Sequence, residues 1–333
     1  MINFGVIGYG YWGPNVVRNL EAVDGARVVA ISEVSASARA RAQKAHPSIR
    51  VTDDTADVIA SPEIDAVAIV TPVWTHFDLA KAAVENGKHT FVEKPFTSNV
   101  AQAEKLITLA ERSNLRVMVD HTFLFTPAVR KIKQLLLDGT LGKLYYYDST
   151  RVNLGLFQHD VNVIWDLAPH DLSIMDYLIG QDPEEIVATG QTHLNGFEDI
   201  AFITLYFPEG VIAHINVNWL SPVKVRMTLV GGAKKMLVWN DLEADEKLKI
   251  YDKGVQITNS EGVYNLLVNY RSGDMWAPQL EQVEALRVEL SYFVDCIMQG
   301  ETPFNDGVAG LRVVKMLEAA NESLRQRGAA VQV

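Results

Sequence analysis

Chemistry is first legible in a glycine-rich turn. Gly8-Tyr9-Gly10-Tyr11-Trp12-Gly13 follows the short apolar run Phe4-Gly5-Val6-Ile7 and opens a helical stretch from Asn15 to Val23. This is G-x-G-x-x-G between a strand and a helix, the setting in which a backbone can hold a pyrophosphate. The first glycine allows the tight turn, the second lets the phosphates approach, and the third lets helix and strand pack closely. The free N–H groups of the helix end then face the anion. Glu33 ends a second strand, Arg27 to Ser32, about 20 residues past the glycines, where a carboxylate binds ribose hydroxyls and repels a 2′-phosphate. The expected cofactor is NAD, favoured over NADP. Tyr11, Trp12 and Trp74 are candidates for shaping the nicotinamide pocket.

The rest of the first 120 residues repeats the strand–helix alternation. Asp65 to Val70, His89 to Val92 and Arg116 to Val119 read as strands, and Ser35 to Ala45, Thr75 to Asn86 and Val100 to Ser113 as helices. Short apolar runs between helices predict a parallel sheet buried on both faces. Beyond a helix at Pro127 to Asp138 the period changes. Longer alternating strands follow from Lys143, with Ile200 to Phe207, Val211 to Trp219, Lys224 to Val230 and Lys235 to Trp239 joined by tight turns. That pattern predicts a large, mostly antiparallel sheet, interrupted by a helix near Asp166 to Leu178 and closed by helices at Val283 to Gln299 and Val308 to Arg327. The expectation is an α/β Rossmann domain over 1–122 and an α+β substrate-binding and oligomerisation domain over 123–333, its last helix packing back on the first.

Two further motifs sit at strand ends. Thr71-Pro72-Val73-Trp74-Thr75-His76 follows the Asp65 to Val70 strand, and Glu93-Lys94-Pro95 follows the His89 to Val92 strand. A Rossmann fingerprint, then T-P-x-x-x-H, then E-K-P, resembles the Gfo/Idh/MocA oxidoreductases (glucose–fructose oxidoreductase and inositol dehydrogenase). The resemblance extends to the long sheet and to the ending from Asn305-Asp306-Gly307 through Ser323. It implies hydride transfer at a carbon of a sugar, nucleotide-sugar or cyclitol. It implies that Thr71, Pro72, His76, Glu93 and Lys94 belong to the cofactor site, that Lys94 points into the cleft, and that a helix of the second domain supplies D-x-x-x-H. Here that element is Asp166-Leu167-Ala168-Pro169-His170, with its two side chains one turn apart and Pro169 expected near the helix start.

The side chains suit that chemistry. A histidine near neutrality can take the hydroxyl proton, which assigns His170 as general acid/base. Lys94 can stabilise the developing alkoxide, and Asp166 can orient His170 or bind a neighbouring hydroxyl. Two segments depart from the family's usual wording: Asn162-Val163-Ile164-Trp165, where glycines are common before the aspartate, and Asp120-His121-Thr122-Phe123, where N-x-R-F is common. His121, Arg151, Asn153 and Trp165 are substrate-binding candidates; packing or a solvated strand end is the competing reading for each.

Composition narrows the partners. Thirty Lys+Arg against 41 Asp+Glu give a net charge of −11, which argues against nucleic acid or an anionic membrane as the main partner. No apolar run approaches a bilayer span. The single cysteine, Cys296, lies in an apolar helical stretch and fits a cytoplasmic protein with no internal disulfide. His159, Asp160, Asp166, His170 and Asp171 are spaced too loosely to predict a metal site, so none is expected. The long sheet fits a homodimer or homotetramer. Two alternatives to a dehydrogenase or ketoreductase stay open: a hydrolase or lyase that oxidises its sugar transiently, and a non-catalytic dinucleotide sensor.

Overall fold

A computed structural model describes residues 1–155, 157–257 and 268–333. The chain forms two compact units: Met1–Thr126 with Val283–Lys315, and Pro127–Gln282 with Met316–Val333. The change of period places one boundary near residue 122; the first unit is instead built from two stretches of chain.

The first unit holds a six-stranded sheet. Its strands are β1 (Ile2–Ile7), β2 (Ala26–Ser32), β3 (Arg50–Thr52), β4 (Ala66–Ile69), β5 (His89–Val92) and β6 (Val117–Val119). Their order is β3-β2-β1-β4-β5-β6, and every pair is parallel. All four residues of β4 are buried, as a strand covered on both faces requires. The connecting helices are α1 (Gly13–Glu21), α2 (Ala36–Ala45), α3 (Ala56–Ile59), α4 (Val73–Glu85) and α5 (Val100–Arg112). Ser35 and Asn99 cap α2 and α5 by accepting from the N–H groups of Ala38 and Gln102.

The second stretch joins this unit for a packing reason. Phe293, on the helix Ala285–Gln299, is fully buried, with its ring 6.2 Å from Phe4 and 6.1 Å from Phe91. Burying such a ring contributes about 2–3 kcal/mol. Beyond that helix, the Val119 N–H donates to Asn305 O at 2.9 Å, and Met118 forms a bridge with Asp306.

The second unit begins with α6 (Pro127–Leu137). Then come β7 (Leu144–Leu154), α7 (Val163–Ile179), β8 (Glu185–Gln191), β9 (Ile200–Tyr206), β10 (Ile212–Asn218), β11 (Leu220–Gly232), β12 (Met236–Asn240), β13 (Leu248–Ile257) and β14 (Val268–Trp276). After α8 (Ala285–Gln299), which belongs to the first unit, come α9 (Gly307–Arg325) and β15 (Val331–Gln332). The sheet runs β14-β13-β12-β11-β7-β10-β9-β8-β15. It is antiparallel except where β10 lies parallel to β7, the pairing that the α7 crossover makes possible. Burial alternates along β9 and β10: Ala201, Ile203, Leu205, Ala213, Ile215 and Val217 are buried, while Phe202, Tyr206 and Ile212 on the other face are exposed. Helix α7 packs on β7, β9 and β10. Among the described residues, no helix is long and apolar enough to cross a membrane.

Candidate active site

The three fingerprint glycines have three different surroundings. Gly8 has φ +101°, and a Cβ there would stand 2.2 Å from the Val70 carbonyl oxygen. A Cβ on Gly13 would stand 2.3 Å from Gly8 O, so the start of α1 rests directly on the turn. At Gly10 a Cβ would meet no protein atom within 4 Å. Space on the ligand side and backbone on the other two is what a pyrophosphate cradle needs. No side chain caps α1, and its first turn carries no acidic residue, so its positive end is available to an anion.

Glu33 is built into the same turn. Oε2 accepts from the Tyr9 N–H at 2.6 Å and Oε1 from the Ser35 N–H at 2.7 Å. Those bonds fix the carboxylate at the end of β2 and leave lone pairs on both oxygens for ribose hydroxyls. Tyr11 is 89% exposed and Trp74 56% exposed, so both rings are open to a ligand. Trp12 is turned inward, its Nε1–H donating to Asp120 Oδ2 at 2.9 Å. These residues fit a bound NAD.

The turns after β4 and β5 are tied together by His76. It is fully buried, with Nδ1 2.9 Å from Pro95 O and Nε2 2.7 Å from Thr71 O. Burial holds its pKa below the ordinary histidine value. Thr71 Oγ1 and Thr75 Oγ1 lie 2.7 Å apart, and Pro72 precedes the first turn of α4. Of the cofactor residues expected from sequence, His76 is therefore placed beneath the two turns, where it sets their backbones. Lys94 and Glu93 are half-buried at the end of β5, and the Lys94–Pro95 peptide is cis.

In the second unit, Asp166 and His170 lie on α7, both half-buried. The helix starts three residues earlier than the sequence pattern suggested. Asn162 is the reason: its Oδ1 accepts from the Trp165 N–H at 3.1 Å. Asp166 thus falls in the first turn and Pro169 inside the helix, where it can offer no N–H to the Trp165 carbonyl. Asp166 Oδ2 accepts from Trp219 Nε1–H at 2.9 Å, and Trp219 is fully buried.

The substrate candidates divide. Arg151 is buried, not a solvated strand end: its Nε–H donates to Asp171 Oδ2 at 2.5 Å and its Nη2 to Oδ1 at 3.3 Å. Ser149 Oγ donates to the same carboxylate at 2.6 Å. His121 is also buried, its N–H donating to Glu289 Oε1 at 3.0 Å, and burial pulls its pKa down to about 4. Trp165 is buried at 8% exposure, and among the described residues its Nε1 has no hydrogen-bond partner. Asn153 is half-buried near the end of β7. Among the described residues, no group of three His, Cys, Asp or Glu side chains is placed to hold a metal. Sequence reasoning gave no role to Asp120, Trp219 or Glu289; Asp120 only opens the segment that departs from N-x-R-F, and the fold brings Trp12 to Asp120, Asp166 to Trp219 and the His121 N–H to Glu289.

Comparison with known proteins agrees with the fold and with NAD as the cofactor. Residues 2–121 match the oxidoreductase family with an NAD-binding Rossmann fold, and residues 129–237 match the Gfo/Idh/MocA C-terminal domain. The chain is 28% identical to UDP-N-acetylglucosamine 3-dehydrogenase of Acidithiobacillus ferrooxidans over 97% of this chain and 98% of that protein. It is 31% identical to inositol 2-dehydrogenase 2 of Saccharopolyspora erythraea over 69% of this chain and 71% of that protein. The solved structure of the Acidithiobacillus enzyme superposes with a TM-score of 0.82 at 26% identity, covering 98% of each chain. The protein is a member of the Gfo/Idh/MocA family of NAD-dependent oxidoreductases, with residues 2–121 as its NAD-binding Rossmann domain.

Proposed function

We propose that the protein oxidises or reduces a carbinol carbon of a sugar, nucleotide-sugar or cyclitol. The observation that carries this is the Asp166/His170 pair, one helical turn apart on α7, in a chain whose glycine turn and Glu33 fit NAD. NAD, when bound, supplies the hydride acceptor or donor. Lys94 stabilises the charge that develops on the substrate oxygen. His170 moves the hydroxyl proton as general acid/base. Asp166, held by Trp219, orients the histidine or a neighbouring hydroxyl. The names of the relatives, a nucleotide-sugar dehydrogenase and an inositol dehydrogenase, support this substrate class.

The exposed face of the large sheet supports a homo-oligomer. Phe202, Tyr206, Ile212 and Met227 are exposed on it, and the Phe202 ring is stacked on His214. We place the protein in the cytoplasm, since its single cysteine, Cys296, is buried and free.

The test is an equilibrium titration with NAD, NADH, NADP and NADPH, beside a panel of free sugars, inositols and nucleotide-sugars read at the NADH band. Tight NAD(H) binding, weak NADP(H) binding and turnover with one substrate class are expected. His170→Ala should abolish turnover and leave NADH affinity within about twofold. Tight NADH binding with no net NADH from any substrate would turn the assignment toward transient oxidation or sensing.

A further inference from the structure

Three carboxyl groups meet in the first unit. Asp120 follows β6, Glu93 follows β5, and Glu289 lies on α8. The carboxyls of Glu93 and Glu289 each lie within hydrogen-bonding reach of Asp120. Asp120 also takes conventional donors: Trp12 Nε1–H at 2.9 Å on Oδ2, the Thr122 N–H at 3.3 Å on Oδ1, and the Thr122 hydroxyl. Glu289 is fully buried. Its Oε1 accepts from the His121 N–H at 3.0 Å and from Asn305 Nδ2 at 3.1 Å. Among the described residues, its buried Oε2 accepts no well-formed hydrogen bond.

That orphaned oxygen has a simple resolution. A carboxylate facing a carboxylate is repelled; a proton on one of them makes the contact a hydrogen bond. Burial and Asp120 push both Glu93 and Glu289 well above the usual carboxylate range. Lys94 acts on Glu93 in the opposite sense and does not outweigh them. Around Glu289 the other facing groups are Thr122 and His121, and Arg312 acts on His121, which is itself neutral above a pKa of about 4.

We infer that Asp120 is a positioning residue of the NAD site: its carboxylate is the shared acceptor that ties Trp12 of the glycine turn to Glu93 of the E-K-P turn and to α8 through Glu289. The turns so joined follow β1 and β5, at the carboxyl ends of the strands, where ligands bind on an open α/β sheet. Asp120 touches neither substrate nor cofactor in this assignment; it acts through Trp12 and Glu93. The inference rests on the binding of NAD by this domain, not on the identity of the substrate.

Asp120→Asn and Glu289→Gln separate the two kinds of carboxyl. An amide at 120 has one acceptor oxygen for the donors that converge there, so Asp120→Asn should weaken NADH binding about tenfold or more. A glutamine at 289 keeps an acceptor for the His121 N–H and replaces the acid O–H with an amide N–H. It should leave NADH affinity within about twofold. Glu289→Gln also has a readout that needs no cofactor. The native protein binds a proton at Glu289 that the unfolded chain releases above about pH 4.5, so its stability falls as pH rises from there toward the folded pKa. From pH 5 to pH 9 the native melting temperature should therefore drop further than that of Glu289→Gln. If Asp120→Asn proves too unstable to titrate, Trp12→Phe removes one of the converging donors and should weaken NADH binding about threefold or more. Native-like NADH binding in Asp120→Asn or in Trp12→Phe, a loss in Glu289→Gln as large as in Asp120→Asn, or parallel melting of native and Glu289→Gln proteins across that rise in pH overturns the inference. Failure of the native protein to bind NADH would count against the cofactor assignment instead, and the melts would still report on the shared proton.

Discussion

The indole N–H of Trp219 donates to Oδ2 of Asp166 across 2.9 Å, and the tryptophan is fully buried. Its backbone is held as well: the Trp219 N–H donates to Asp199 O at 2.9 Å and its carbonyl accepts from the Gly155 N–H at 3.0 Å. A Cβ on Gly155 would stand 2.8 Å from the Trp219 ring. Asp166 is thus aimed by a side chain with little room to move. Trp219→Phe removes the donor and keeps most of the apolar volume. Turnover should fall about tenfold with the KM for NAD unchanged, and stability should fall by about 1–2 kcal/mol. Steady-state kinetics and a thermal melt read both. An unchanged kcat would mean that the orientation of Asp166 does not matter to turnover.

Gly10 and Gly13 predict opposite failures from the same Gly→Ala change. At Gly13 the added methyl meets the Gly8 carbonyl oxygen at 2.3 Å, so the helix must lift off the turn. A loss of several kcal/mol in stability is expected, on the scale of overpacking. At Gly10 the methyl meets no protein atom within 4 Å. Gly10→Ala should melt at or slightly above the native temperature and yet bind NADH at least about tenfold more weakly, because the methyl stands where the pyrophosphate approaches. Parallel melts and NADH titrations decide it. Native affinity in Gly10→Ala would place the phosphates elsewhere.

The contrast between these glycines and the carboxyl cluster shows what a sequence can carry. The fingerprint is local: strand, turn and helix are contiguous, and the roles of Gly8, Gly10 and Gly13 follow from their spacing. The parallel sheet was legible for the same reason, since its strands are short apolar runs set between helices. The short β3 and the half-exposed β8 carry too little apolar pattern to stand out. The start of α7 was missed because a side chain, Asn162, defines it and not a period. Arg151 reads equally as a ligand or a solvated strand end in the sequence because its partner, Asp171, stands 20 residues away on α7. Asp120 joins residues from three separate stretches of the chain, and no spacing rule brings Trp12, Glu93 and Glu289 together.

Glu33 should set both affinity and cofactor choice. Its two oxygens already receive the N–H groups of Tyr9 and Ser35, at 2.6 and 2.7 Å, so the side chain also braces the glycine turn. Glu33→Ser removes the brace and the charge together. NAD affinity should fall about tenfold, while NADP affinity should fall less or rise, because the carboxylate no longer repels a 2′-phosphate. The ratio of the two dissociation constants, measured by NADH and NADPH fluorescence, is the readout. An unchanged ratio would show that Glu33 serves the turn alone.

His121 makes acid stability testable. Burial, its largest influence, holds its pKa at about 4 against the ordinary 6.5. The unfolded chain therefore takes up a proton between pH 6.5 and 4 that the folded protein refuses, and stability declines as pH falls through that window. At pH 5 this one residue should cost about 2 kcal/mol relative to pH 7. The buried, pKa-lowered His76 acts in the same direction, so the native slope alone does not isolate His121. His121→Phe removes one titrating group and leaves the other. The variant should have the lower melting temperature at pH 7, where an imidazole-sized pocket must take a larger ring, but it should lose several degrees less than the native protein between pH 7 and pH 5. Melting temperatures that fall in parallel would show that the imidazole of His121 is protonated in the folded state, in which case its charge would have to be met inside the pocket beside Glu289.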